Sequence, residues 1–188
     1  MKYRVLNIVV LFLLFQSLSE KARGQWSEER INLGISIPEV AIIDIEYMGS
    51  KSLEFEVVPP VISGGAPEVQ QTNNTQLWIN YSSAVASWGG KRSIVAQVIN
   101  GNLPSGLSLF VQASSYRGKG KGELGSSVGK TAISSQPRPI VTNIGSCYTG
   151  NGLNNGHSLD FSLDITDFEK VTAMEATEFT ILYTITDN

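Results

Sequence analysis

Strict period-two alternation of apolar and polar residues limits this chain more than any other feature. Leu159-Asp160-Phe161-Ser162-Leu163-Asp164-Ile165 places four large apolar side chains on odd positions, with polar ones between. Glu178-Phe179-Thr180-Ile181-Leu182-Tyr183-Thr184-Ile185-Thr186 repeats the pattern with β-branched and aromatic residues. Side chains along a strand point to opposite faces in turn, so such segments bury one face and wet the other. Both read as strands of an antiparallel sheet. Phe179, Ile181, Tyr183 and Ile185 are expected to close the core.

The same alternation recurs upstream. Ile31, Leu33, Ile35 and Ile37 alternate with small and polar residues and predict a strand, which Pro38 ends or marks as an edge. Further strands are predicted over 41–47, 53–57, 77–82, 93–100, 107–113 and 140–148. Met48 to Ser52 reads as a hairpin turn between the first and second of these, and 93–100 as the partner of 77–82. Residues 63–76 and 149–156 read as loops, and a short helix is possible around 173–176. Residues 114–139, including the glycine-rich basic loop 117–130, show almost no apolar periodicity. About nine strands and no long helix predict an all-β antiparallel Greek-key β-sandwich, immunoglobulin-like or pilin-like.

The amino terminus reads differently. Lys2 and Arg4 precede the apolar run Ile8–Phe15, and Ala22-Arg23-Gly24 offers small residues at a cleavage position. Those features predict a signal peptide over 1–24, export to the periplasm, cell surface or medium, and a single domain over 25–188. The apolar run is shorter than a membrane span, so none is expected in the mature chain. That mature chain has ten basic and sixteen acidic residues, a net charge of −6. An acidic exported chain is a poor partner for nucleic acid. Cys147 is the sole cysteine, so no internal disulfide is available. It reads as a buried thiol, an intermolecular bridge being the other possibility.

Few residues suggest chemistry. Gly125 to Thr131 approaches a phosphate-binding loop, but three residues separate its glycines where four are needed, and no helix follows. His157 is the only histidine and reads as an exposed turn residue. The carboxylate pairs Asp44/Glu46, Glu54/Glu56 and Asp160/Asp164 read as wet strand faces. No catalytic set, metal site or cofactor is predicted. Trp78 and Trp88, with Tyr81, Phe110 and Tyr116, make a surface aromatic contact for carbohydrate conceivable. Trp78 and Phe110 fall out of phase with their strands' apolar faces, so either they lie outside or those strands are buried on both sides. Asn73 and Asn80 each begin a glycosylation sequon. Between Val69 and Leu159 there are seven basic residues and one acidic, against three and fifteen elsewhere in the mature chain. That skew gives the molecule a dipole unless strand order mixes the two sets.

The glycine-led loop before His157, the alternating strand and the final strand ending Tyr183-Thr184-Ile185-Thr186-Asp187 resemble the carboxyl end of exported bacterial pilin-like and WxL-like sandwich proteins. The likeness extends to the leader and transfers no binding residues. It implies a non-enzymatic structural or adhesive surface subunit of fimbria-like kind, assembling through edge strands with itself or other subunits. Ile31, Leu33, Ile35 and Ile37 are the expected subunit-contact strand. A carbohydrate-binding module is the alternative, with Trp78 and Trp88 as its contacts.

Overall fold

A computed structural model describes residues 29–188; the expected signal peptide lies outside the described residues. The chain divides into the units Met1–Ser36 and Ile37–Asn188. Residues 29–36 of the first form neither strand nor helix. The second unit carries all eleven strands and is all-β.

The strands are β1 (Val40–Met48), β2 (Phe55–Val58), β3 (Glu68–Gln71), β4 (Gln76–Ala84), β5 (Arg92–Asn100), β6 (Leu107–Ala113), β7 (Lys121–Ser127), β8 (Thr131–Ile133), β9 (Arg138–Tyr148), β10 (His157–Ile165) and β11 (Thr180–Asp187). Nine of them share one antiparallel sheet, and β2 and β3 form a separate two-stranded one. The large sheet folds into two layers, β1-β4-β10-β6-β8 and β11-β5-β9-β7. They join where Ser82 and Ser83 of β4 pair with Tyr148 and Cys147 of β9. This is a β-sandwich.

From β4 onward each strand lies in the layer opposite its predecessor, so from there no two consecutive strands pair. That corrects two expectations. β1 pairs with β4 along its whole length rather than forming a hairpin with β2, and β2 pairs with β3, a strand inside the expected loop. β5 pairs with β11 and β9, not β4.

Between the layers lies one apolar cluster. Ile79, Ile94, Ala96, Val111, Ile140, Val141 and Ile144 are fully excluded from solvent, and Leu109, Ile133, Cys147 and Leu159 nearly so. On β4 the odd residues Leu77, Ile79 and Tyr81 face this cluster, yet the even residues Trp78 and Asn80 are buried too. That strand is covered on both faces. β11 is an edge: Phe179, Ile181, Tyr183 and Ile185 pack on the cluster only partly buried.

The segment 114–139 is better ordered than its composition suggests, since it holds β7 and β8. Glycine hides the alternation there for a steric reason. At Gly122, with φ of +97°, a Cβ would stand 2.2 Å from the Ser146 carbonyl oxygen of β9. Only a residue without Cβ fits. In place of the expected helix at 173–176 there is a single 3-10 turn at Phe168–Lys170.

Arg92 is a buried charge at the open end of the sandwich, 4% exposed. Its Nε donates to Asp187 of β11 at 2.7 Å and Nη2 to Glu39 at 3.2 Å. Nη1 donates to the Val40 carbonyl, and to Ser83 Oγ and the Ala84 carbonyl at 3.3 Å each. One guanidinium thus ties β1, β4 and β11 to β5. Its fixed fork of donors suits this convergence; a lysine ammonium has no such geometry. Arg92→Ala should lower unfolding free energy by about 2–4 kcal/mol, and Arg92→Lys should recover little of it. Urea midpoints for the three proteins check this.

Candidate functional site

The most developed polar arrangement joins β4, β10 and the Ser114–Gly120 connection inside the sandwich. His157 is completely buried. Its position follows from Gly156, whose φ of +85° and close approach (a Cβ would lie 2.0 Å from the Ile79 carbonyl) let the chain turn tightly into β10. His157 Nδ1 lies 2.7 Å from the Ser114 carbonyl and Nε2 2.9 Å from the Tyr81 hydroxyl. The Tyr81 ring stacks on the imidazole with centroids 5.9 Å apart, and Tyr116 meets it edge-on at 6.1 Å. The Tyr116 hydroxyl donates to the Thr149 carbonyl at 3.0 Å and accepts the Gly120 N–H. Thr149, also fully buried, donates its N–H to the Tyr81 carbonyl at 3.0 Å and accepts the Tyr81 N–H on Oγ1 at 3.0 Å.

Proton counting assigns the tautomer. Facing a carbonyl, Nδ1 must carry the hydrogen, so in the neutral ring Nε2 accepts from Tyr81. The single Tyr81 hydroxyl proton also meets the Leu124 carbonyl, so two acceptors share one donor. Burial holds the His157 pKa below its usual 6.5, against the raising influence of the Ser114 and Leu124 carbonyls. Burial, then the nearby Cys147 and Tyr116, pushes the Tyr81 hydroxyl far above its ordinary range. The result is a neutral, solvent-free hydrogen-bonded node that fastens loop 149–156 to the core. It offers no acid or base to solvent. The sequence-based reading of His157 as an exposed turn residue is therefore corrected: the turn is Asn154 to Gly156, and the histidine itself begins a strand.

The other sequence-derived residues fall apart spatially. Trp78 is 5% exposed and Trp88 89%, so they do not make one surface aromatic contact. Trp78 is withdrawn as a surface residue because β4 is covered on its second face. Asn80 is 4% exposed and sits mid-strand, which removes it as an accessible sequon. Phe110 is part-buried, with the Lys130 ammonium 4.3 Å over its ring and bonded to Asp164 at 2.8 Å. Cys147 is a buried free thiol that burial, and secondarily Glu123, pushes up to about 11.

Ile31, Leu33, Ile35 and Ile37 form no strand and are 91, 84, 79 and 82% exposed. The expected strand is an extended sequence pattern without a sheet around it. The charge skew is partly cancelled in space, since Arg92 and Lys130 of the basic set pair with Glu39, Asp187 and Asp164 of the acidic set. Among the described residues no group of three or more His, Cys, Asp or Glu is placed to hold a metal ion, and no helix is long and apolar enough to cross a membrane. Compared with known proteins, the chain matches no family model, no curated sequence and no solved structure.

Because the folded-state pKa of His157 lies below 6.5, the native state binds fewer protons than the unfolded one in mild acid. Its contribution to stability is complete above about pH 6.5 and is lost as pH falls below it. The thermal midpoint should drop on going from about pH 7.5 to about pH 5.5, and His157→Gln should start lower but flatten that dependence. Melting curves of both proteins across this window check it.

Proposed function

We propose that the protein is a non-enzymatic structural or adhesive subunit of an exported assembly, associating by strand addition. The donated strand is Ile31 to Ile37 of one copy, and the acceptor is the edge pair β1 and β11 of another. What carries this reading is a matched pair of unpartnered apolar features.

On the donor side, four branched aliphatic side chains alternate at 79% exposure or more. Fully burying each would contribute about 1.5–3 kcal/mol, so leaving them in water is costly unless something covers them. On the acceptor side, among the described residues β1 pairs only with β4 and β11 only with β5. Their core-facing residues Ile43, Ile45, Ile181, Tyr183 and Ile185 are part-exposed, whereas Ile79 of β4 and Ile94 and Ala96 of β5 beside them are fully buried. Neither edge carries the lysine or proline that usually blunts a free strand. β7, by contrast, carries Lys121, and β8 is three residues long. An incoming strand with alternate apolar side chains would gain main-chain bonds and fill the half-covered side of the core.

Deleting residues 25–37 should abolish association of the purified protein in sedimentation. A synthetic peptide spanning 29–38 should then bind the truncated protein and raise its thermal midpoint. Unchanged oligomer size and stability after truncation would refute strand donation.

A further inference from the structure

The strand registers place four residues in one row across the outer face. Ile42 of β1 is opposite Ser82 of β4, Ser82 is opposite Tyr148 of β9, and Tyr148 is opposite Lys121 of β7. Directly opposed residues of antiparallel strands project from the same face, at roughly 4.8 Å per strand. Tyr148 is 49% exposed and Ile42 63% exposed, with Lys121 also at the surface. In the adjoining row Asp44 lies opposite Asn80, and Gly150 and Asn151 of the following loop close the end. Ile42, Asp44, Asn80, Tyr81, Ser82 and Tyr148 line a recess of about 280 Å³ with that loop, and Lys121 flanks it one strand beyond Tyr148.

Two polar groups in this recess have acceptor capacity to spare. Asn80 gives an Nδ2 hydrogen to the Gly152 carbonyl at 3.3 Å, but its buried Oδ1 has no partner among the described residues. Asp44 accepts the Ile45 N–H on Oδ1 at 2.8 Å, which leaves Oδ2 available. The recess therefore offers a half-exposed aromatic ring and an aliphatic side chain, edged by acceptors on one side and an ammonium on the other.

We propose that this face is a saccharide-binding platform. The Tyr148 ring takes the apolar C–H face of a pyranose, with Ile42 extending the contact. Ring hydroxyls donate to Asp44 Oδ2, and Lys121 donates to a hydroxyl or carboxylate oxygen at the far side. A metal ion fits poorly, because the recess brings one carboxylate and no histidine. A purely apolar segment fits poorly too, because it would cover the Asp44 carboxylate without giving it a partner. The volume suits one sugar ring of a longer chain. This platform does not include the candidate contacts Trp78 and Trp88 and does not require strand donation.

Titration calorimetry of the full chain with cellohexaose, chitohexaose, xylohexaose, mannohexaose and an alginate hexamer tests the proposal. Binding of at least one is expected, weakened tenfold or more by Tyr148→Ala and by Asp44→Ala, and unaltered by Trp88→Ala. Binding of the alginate oligomer alone, lost in Lys121→Ala, would identify the sugar as acidic; binding of a neutral oligomer would identify it as uncharged. Should Tyr148→Ala fail to fold, as judged by its thermal transition, Asp44→Ala and Lys121→Ala carry the test. No heat with any of the five sugars would overturn the proposal. So would binding that Trp88→Ala abolishes and the platform variants leave intact.

Discussion

The buried guanidinium of Arg92 is the interaction on which the open end of this sandwich depends. A charge removed from water is costly unless its hydrogen bonds are all met. Here β1, β4 and β11 meet them, with the Ser83 hydroxyl, two backbone carbonyls and two carboxylates. The carboxylates themselves reach solvent, with side-chain exposures of 59% for Glu39 and 81% for Asp187. Screening weakens their share, so the backbone acceptors and the Ser83 contact give the arrangement its geometric definition. Arg92 holds the ends of β1 and β11 together while the rest of those two edges stays unpaired. Beyond it, the core-facing side chains of both edges are only half covered, and the proposed strand addition rests on that.

The opposite need, fixing a long loop without a disulfide, is met by polar groups. Thr149, Tyr81, His157 and Tyr116 connect the end of β9 and the loop 149–156 to β4 and β10 through bonds that exclude water. In a low-dielectric interior such bonds are strong when complete and costly when broken. This loop also supplies Gly150 and Asn151 to the recess on the outer face, so the buried node sets the shape of a surface feature. Sequence, packing and surface chemistry are linked there through one neutral histidine.

Much of the fold was legible because alternation is a local signal. β1, β4, β5, β6, β9, β10 and β11 all fall where apolar residues recur at every second position. Pairing was not legible, because nearest-neighbour reasoning favours hairpins, and here successive strands switch layers from β4 onward. β7 escaped because Gly122 replaces a side chain where β9's backbone comes too close. His157 was misjudged for a related reason: the Asn-Asn-Gly turn before it is a surface signal, whereas burial depends on Ser114, 43 residues away in sequence. Trp78 was ambiguous by phase, and only the covering of β4 on both faces resolves it. The row Ile42–Ser82–Tyr148–Lys121 had no sequence signature, since it draws one residue from each of four strands.

Strand donation is tested most directly by amide hydrogen exchange followed as a function of protein concentration. Residues 31–37 sit in no sheet within one copy, so their amides should exchange at near-unprotected rates in dilute solution. Strand donation predicts that they and the outer amides of β1 or β11 gain protection together as concentration rises. Fast exchange of 31–37 at every concentration, with β1 and β11 unchanged, would contradict it.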